Sequence, residues 1–299
     1  MNFEEAVGPL TLLFLMSVVG LQLTPADFRR VAAAPKSIVV GTLGQIVLLP
    51  LMTWALVSSL GLPPELAAGA ILLAAAPGAG MSNLMAAIAG AHVALSVTLT
   101  AISSVLAVIT LPTLTGLGMS IFMADGGDVD VPVDRLMGQM FLFLLLPIGI
   151  GMLVRFRLGD RVQNAIPWIN RLAILGIIAL SALSGTTNQL ELPTGSTFAL
   201  TVVASLLWTV FAMAIAWGLG ALLDLDADDR FTFLVEFSAR NVALAFIVAV
   251  STFGSLELGL FAGVYAFTGF PSVIVLSMLR GRWKKAAAGG AKREDPGHD

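Results

Sequence analysis

The sequence contains no cysteine and few charged side chains. Only 12% of its 299 residues are charged, whereas a soluble domain carries about a quarter. The absence of cysteine excludes disulfides, thiolate metal sites and thiol-based chemistry. Histidine is also scarce, because His92 and His298 are the only two and neither has an obvious catalytic partner. An enzyme is therefore not expected, since Ser82, the one candidate nucleophile, lacks a nearby histidine or lysine base.

Apolar residues make up 57% of the chain and recur in long runs. Runs of about 18 or more apolar residues are typical of helices that span a membrane. Turn residues and charges divide the chain into nine predicted spans. These spans lie near residues 6–23, 37–60, 65–90, 92–117, 134–156, 165–187, 197–222, 229–252 and 257–280.

The predicted fold class is therefore an all-α polytopic membrane protein. One integral membrane domain is expected over residues 1–285, followed by a polar, disordered tail over residues 286–299. The N-terminus is acidic and lacks the basic lead of a secretory signal, so the first apolar run is interpreted as a retained helix.

Arginine and lysine residues are distributed unevenly between the loops. Fourteen of the sixteen fall on one side of the predicted spans, and the exceptions are Arg135 and Arg240. By the positive-inside rule this side faces the cytoplasm of a bacterial inner membrane, with the N-terminus outside and the C-terminus inside. The basic tail after Arg280 is interpreted as a topological anchor, with anionic-lipid binding as the alternative.

The third and eighth predicted spans are interrupted by polar residues. Pro77, followed by Gly78 and Gly80, predicts a break in the third span. The eighth span carries Arg240 and Glu236, the only acidic residue in the interior of a predicted span. A charge in mid-membrane costs at least about 2.5 to 3.5 kcal/mol, which marks a candidate functional site. On a continuous helix the two residues would share a face, so a structural ion pair is the alternative.

An asparagine opens the apolar sequence after each interruption. Asn83 and Asn241 are each predicted to cap a half-helix, since asparagine is a good helix cap. Because the third span would run inward and the eighth outward, the pattern is typical of an inverted repeat with two crossed broken helices. Nine helices would then divide into four plus five, with the first helix of the incomplete repeat missing before residue 6.

Amide and hydroxyl side chains also occur within the spans. Gln45 lies in the second span, and Ser96, Thr100 and Ser103 fall on one face of the fourth. A stripe of this kind often serves helix packing, and this alternative stays open. Hydroxyl and carbonyl oxygens are also what a hard cation such as sodium needs beside one carboxylate.

Together these residues resemble the bile acid:sodium symporter family. The resemblance extends from Leu10 to about Arg280. It rests on Gly20-Leu-Gln-Leu-Thr-Pro-Ala-Asp27-Phe28-Arg29-Arg30, Gly44-Gln45 to Pro50, Pro77-Gly78 with Ser82-Asn83, Val93-Ala-Leu-Ser96-Val with Thr100, and Glu236 with Asn241-Val-Ala-Leu-Ala. The family fold implies a core domain with two crossed broken helices and a panel domain that moves against it.

The resemblance also implies two sodium sites. The residues that match the first site are all present, namely Ser82, Asn83, Ser96, Thr100 and Glu236. The second site would use Glu236, Gln45, nearby main-chain oxygens and a glutamine whose position is occupied here by Arg240. One hypothesis is that Arg240 substitutes for the second ion, because two close cations repel each other. The alternative is that Arg240 binds an anionic substrate together with Asn83 and Asn241.

The function implied by the resemblance is a sodium-coupled symporter. It would carry a small organic anion, such as a carboxylate or sulfonate, across the lipid bilayer by alternating access. A proton-coupled transporter or exporter, with the proton on Glu236, is the second hypothesis, and a ligand-sensing membrane protein is the third. No cofactor other than the coupled ion is expected, and neither nucleic acid nor an obligate protein partner is indicated.

Overall fold

The regular secondary structure is helical throughout the described part of the chain. A computed structural model describes residues 3–24, 35–78, 80–123, 133–159, 161–162, 168 and 195–291. In chain order the helices are α1 (Phe3–Gln22), α2 (Pro35–Leu60, with a π-helical turn at Gly44–Leu48), α3 (Pro64–Ala75), α4 (Gly80–Ile88), α5 (Val93–Phe122), α6 (133–158, with a π-helical turn at Phe141–Leu145), α7 (Gly195–Leu222), α8 (Ala227–Ser238), α9 (242–252, ending in a π-helical turn at Val248–Thr252), α10 (Leu256–Phe267) and α11 (Gly269–Ala291).

Five stretches of described helix are long and apolar enough to cross a membrane. They are Pro35–Leu60, Val93–Phe122, Met137–Leu158, Gly195–Leu222 and Leu256–Ala287. The prediction of an all-α, multi-pass membrane protein is thereby confirmed. The predicted span at 165–187 lies outside the described residues, so the count of nine helices and the repeat of four plus five stay predictions. Helix α11 continues through residues 286–291 of the predicted tail.

The third predicted span breaks where the sequence predicts it. Helix α3 ends at Ala75, Ala76 has an extended backbone with φ −61° and ψ 141°, and α4 begins at Gly80. Pro77 disfavours helical backbone at the residue before it, which accounts for the end of α3. All residues of α3 from Leu66 onward are buried, so this break lies inside the protein.

The eighth predicted span also breaks, between α8 and α9. Helix α8 ends at Ser238, and the Oδ1 atom of Asn241 accepts a hydrogen bond from the backbone N of Leu244 at 3.0 Å. The prediction that Asn241 caps a half-helix is confirmed. The same prediction for Asn83 is wrong, because α4 already begins at Gly80 and Asn83 is its fourth residue.

The two breaks contact each other, and residues 76–78 with 239–241 are called the crossing from here on. The backbone N of Asn241 donates to the carbonyl of Pro77 at 3.0 Å, and Gly78 forms an antiparallel bridge with Arg240. Non-helical backbone at membrane depth needs such partners, because lipid offers none. Helices α3 and α8 end at the crossing, and α4 and α9 begin there.

Gln45 lies in a π-helical turn of α2. The backbone N of Leu49 donates to the carbonyl of Gly44, five residues earlier. Pro50 follows directly and has no N–H to donate to Ile46, so the regular helical pattern cannot continue through this turn. The Gln45 side chain is buried.

Helix α1 packs closely against α6 through two glycines. A Cβ atom at Gly20 would overlap the carbonyl of Ile148, and one at Gly151 would overlap the carbonyl of Ser17. Small residues allow this close approach of backbones in membrane proteins. Helix α1 is therefore held by α6 on one side, while its other side reaches α4 and α9.

Candidate ion and substrate site

A buried carboxylate lies beside the crossing, among hydroxyl groups from two other helices. Glu236, in the last turn of α8, accepts hydrogen bonds from Ser96 and Thr100 of α5, and Thr100 Oγ1 is 3.0 Å from Glu236 Oε2. The hydroxyl oxygens of Ser82 and Thr100 are 3.3 Å apart. Ser96 Oγ is 2.9 Å from Asn83 Oδ1. The structure thus brings together all the residues predicted for the first sodium site, and all of them are buried.

These side chains present more oxygen acceptors than hydrogen donors. The carboxylate contributes two oxygens, the Asn83 amide one and the three hydroxyls one each, while the hydroxyls offer three hydrogens and the Asn83 NH2 group faces Gln22 instead. The single hydrogen of the Ser96 hydroxyl faces two acceptors, Asn83 Oδ1 and Glu236 Oε1. Clustered carboxylate, carbonyl and hydroxyl oxygens are the ligands that hard cations prefer. The residues present therefore fit a sodium ion.

The backbone of Gly78, which has no side chain, lies directly against the oxygens of Glu236 and Thr100. A Cβ atom at this position would lie 2.7 Å from Glu236 Oε2 and 3.2 Å from Thr100 Oγ1. The sequence indicated Gly78 as part of a helix break. The structure adds that any larger residue would enter the space next to the carboxylate.

Helices α5 and α8 lie side by side, and a contact in addition to those of Glu236 fixes how their residues align. The backbone N of His92 donates to Thr232 Oγ1 at 3.0 Å, and these residues precede Ser96 and Glu236 by one helical turn each. His92 Nδ1 also lies 2.7 Å from an oxygen of Asp229, an exposed contact that the sequence did not indicate. Sequence reasoning missed Thr232, because a single threonine within a helix shows no distinguishing pattern.

Arg240 turns away from the carboxylate of Glu236. Its guanidinium donates to Gln45 Oε1 at 2.7 Å, to the main-chain oxygen of Glu236 at 3.2 Å and to that of Ala74 at 3.2 Å. Among the described residues no carboxylate forms an ion pair with it. The two side chains do not share a helix face, because α8 ends at Ser238 before Arg240 is reached.

The oxygens that hold Arg240 come from three helices. Ala74 belongs to the last turn of α3 and Glu236 to the last turn of α8. Carbonyls at the C-terminal end of a helix carry partial negative charge and are good partners for an arginine. The residues predicted for a second ion site, Gln45, Glu236 and Arg240, thus lie in contact. Glu236 contributes its main-chain oxygen there, and these oxygens bind the guanidinium of Arg240.

The N-terminal parts of α4 and α9 face α1. Asn83 Nδ2 lies 3.5 Å from Gln22 Oε1, and Asn241 Nδ2 lies 3.9 Å from Met16 Sδ. Helix N-terminal ends carry partial positive charge and favour anions. Two of the three predicted substrate residues, Asn83 and Asn241, are therefore covered by α1, whereas Arg240 binds other groups. Gln22 and Met16 were not predicted, although Gln22 lies within the first motif that carried the family resemblance.

A network of charged residues connects α8 and α11 with the C-terminal end of α4. Asp228, in the first turn of α8, lies 2.7 Å from both Lys284 Nζ and an Arg280 guanidinium nitrogen of α11. The hydrogen bond from Lys284 lowers the pKa of Asp228 below its usual range, with partial burial opposing this shift and Arg280 reinforcing it. Lys284 also donates to the carbonyl of Gly90, just after α4. The network therefore ties the C-terminal end of α4 and the N-terminal end of α8 to α11.

These features define a multi-pass membrane protein with an oxygen-lined site where two broken helices meet. The chain belongs to the Sodium Bile acid symporter family, whose model matches residues 9–192. The family recognised from the motifs is thereby confirmed. Since this is a family of transporters, the expectation of a transporter instead of an enzyme is confirmed as well.

Two of the similar curated proteins are named as a sodium-dependent transporter and a sodium/metabolite cotransporter, and a third is a P3 protein. The uncharacterized sodium-dependent transporter YocS of Bacillus subtilis (strain 168) is 27% identical over 247 residues, which are 81% of this chain and 73% of that protein. The probable sodium/metabolite cotransporter BASS1, chloroplastic, of Arabidopsis thaliana is 29% identical over 272 residues, covering 90% of this chain and 64% of its own length. The human P3 protein is 26% identical over 217 residues, which are 71% of this chain and 44% of that protein. The chain thus spans less than two thirds of the plant and human relatives.

Proposed function

We propose that the chain is a symporter that carries a small organic anion into the cell together with sodium. The observation that carries this proposal is the oxygen cluster around Glu236. A buried carboxylate surrounded by three hydroxyls and an amide oxygen offers sodium both ligands and a compensating negative charge. An ion bound there would contact α4, α5 and α8 at once, so its binding would favour one arrangement of the crossing.

The proposed anion site lies at the N-terminal ends of α4 and α9. Asn83 would connect it to the ion site, because its Oδ1 faces Ser96 while its Nδ2 faces Gln22. A sodium ion that binds the amide oxygen would hold the amide NH2 group toward the substrate. Asn241 would contribute the second amide. This arrangement explains physically why sodium and anion would bind together.

Substrate access would require α1 to separate from the half-helices. The contacts of Gln22 and Met16 with the two asparagines, at 3.5 and 3.9 Å, are long for hydrogen bonds and are therefore weak. Alternating access would consist of α1, together with α6, moving as a panel against a core that contains the crossing.

Arg240 is proposed to take the place of a second sodium ion. Its guanidinium already binds the Gln45 oxygen and two main-chain oxygens, and the side chain is only 2% exposed. A direct role in substrate binding would require these hydrogen bonds to break. The ion site around Glu236 would then bind a single sodium.

The proposed setting is a bacterial inner membrane with the C-terminus in the cytoplasm. The network of Asp228, Arg280 and Lys284 would then lie at the cytoplasmic surface, where partly exposed charges are solvated. This placement follows the positive-inside rule.

Replacement of Glu236 tests the proposal. For the purified full chain we expect sodium chloride, but not choline chloride, to raise the unfolding temperature, because binding to the native state stabilises it. Glu236→Gln should weaken sodium binding by at least about 100-fold, since a carboxylate and a cation 4 Å apart attract by about 4 kcal/mol at an effective dielectric constant of about 20. Glu257→Gln is the matched control, because Glu257 lies at the start of α10 and is not among the ion ligands.

Uptake into proteoliposomes completes the test. A panel of small carboxylates and sulfonates is offered with an inward sodium gradient, an inward proton gradient or neither. Uptake of at least one anion with sodium alone is expected. Uptake that follows only the proton gradient would favour a proton-coupled transporter, and saturable anion binding without any uptake would favour a ligand sensor.

A further inference from the structure

The charges buried within the protein balance each other. In the part of the chain that the structure describes, Glu236 and Arg240 are the only buried charged side chains. They lie four residues apart at the crossing, and one is negative and the other positive. With Glu236 ionised, their charges sum to zero before any ion or substrate binds.

The positive charge of Arg240 is permanent. An arginine side chain does not lose its proton in proteins. Among the described residues its guanidinium binds only neutral groups, namely the amide of Gln45 and the carbonyls of Ala74 and Glu236. Since no carboxylate is paired with it there, its full charge acts on any cation that enters the neighbouring oxygen cluster.

The charges and oxygens around Glu236 and Arg240 favour a single mobile cation. The cluster of Ser82, Asn83, Ser96, Thr100 and Glu236 contains a single carboxylate. Three further oxygens near the crossing, the amide oxygen of Gln45 and the main-chain oxygens of Ala74 and Glu236, already accept hydrogen bonds from Arg240. A second sodium would have to displace the guanidinium or lie beside it, and both are unfavourable.

We propose that transport is electroneutral, with one sodium ion carried for each monovalent organic anion and Arg240 acting as the fixed countercharge. This inference rests on the proposed function and specifies its substrate class. The charges of one sodium ion and one monovalent anion cancel, so the loaded site has the same net charge as the site before binding. A net charge is costly in a low-dielectric environment, so both forms can pass through the occluded state without that cost. A dianion would leave one uncompensated negative charge, so monocarboxylates and monosulfonates are favoured over dicarboxylates.

Counting bound sodium tests the charge balance without any substrate. Binding of radioactive sodium to the purified full chain should saturate at one ion per chain. Arg240→Gln removes the positive charge and supplies an amide oxygen, so the number of sodium ions bound per chain should rise from about one to about two. Arg240→Lys keeps the charge and should keep this number at about one. Two ions on the unmodified chain would overturn the inference, whether or not the variants fold.

The membrane potential tests the transport cycle itself. Proteoliposomes containing the full chain are given a sodium gradient, and a potassium gradient with valinomycin sets the potential. Sodium-driven uptake of monovalent members of the anion panel should be equal at zero and at inside-negative potential. If the inside-negative potential accelerated uptake several-fold, electroneutral transport would be refuted, but the proposal of a sodium symporter would not. Absence of both saturable sodium binding and sodium-driven uptake would overturn the proposed function as well.

Discussion

Replacing Gly78 by alanine provides the sharpest test of the geometry around Glu236. The new Cβ atom would lie 2.7 Å from Glu236 Oε2, whereas ordinary contacts begin near 3.4 Å. The carboxylate would therefore have to retreat by about 0.7 Å, and Thr100 Oγ1, at 3.2 Å, would have to yield by a few tenths of an ångström. Both oxygens are proposed sodium ligands.

The expected result is a loss of sodium affinity with little loss of stability. A misplacement of about 1 Å can reduce the performance of a positioned group about 100-fold, so we expect sodium binding to weaken roughly 10- to 100-fold, or about 1.4 to 2.7 kcal/mol. The assay is a sodium titration of the unfolding temperature against a choline chloride background.

The control for this experiment is a glycine with open space around it. A Cβ atom added at Gly218, in α7, would have no neighbouring residue of the described chain within 4 Å, so Gly218→Ala should leave the sodium titration unchanged. If Gly78→Ala folded and bound sodium as tightly as the unmodified protein, the inferred position of the ion next to Glu236 Oε2 would be refuted.

Two further predictions concern contacts that position α8. Thr232→Val removes the hydrogen bond from the His92 backbone, so sodium affinity should fall several-fold. Thr232→Ser keeps the hydroxyl and should bind sodium as the unmodified protein does. Equal affinities in all three proteins would contradict a role of Thr232 in aligning α5 with α8. Asp228→Asn should lower the unfolding temperature at neutral pH, measured by thermal melts of purified protein. An aspartate with a lowered pKa stabilises the fold above the ordinary value of about 3.9, and this contribution is lost as the pH falls below it. The difference between variant and unmodified protein should therefore shrink under acidic conditions, and a difference that stayed constant would contradict the role of the carboxylate.

Features that depend on neighbouring residues could be predicted from the sequence. Long apolar runs predicted the membrane-spanning helices, Pro77 predicted the first break, and Asn241 was recognised as a cap. Asn83 was misjudged because the start of α4 is determined by the crossing and not by the helix-capping preference of one residue.

Contacts between distant segments could not be predicted in the same way. Ala74 lies 166 residues from Arg240, and its role as a hydrogen-bond acceptor depends only on its carbonyl, which every residue has. The spacing of Ser96 and Thr100 indicated a shared face, but only the family resemblance linked that face to Glu236, 140 residues away from Ser96. Gln22 and Thr232 gave no local signal of their contacts.

The hydrogen bond between Asn241 and Pro77 has a consequence for the assembly of the protein in the membrane. The ribosome makes the first broken segment long before the second, so the carbonyl of Pro77 enters the membrane before its partner exists. Until α8 and α9 follow, this polar backbone must be shielded by the insertion machinery or by water, because lipid cannot satisfy it. A chain interrupted between α6 and α7 would retain that unpaired group, and the two broken segments would therefore become stable in the bilayer only as a pair.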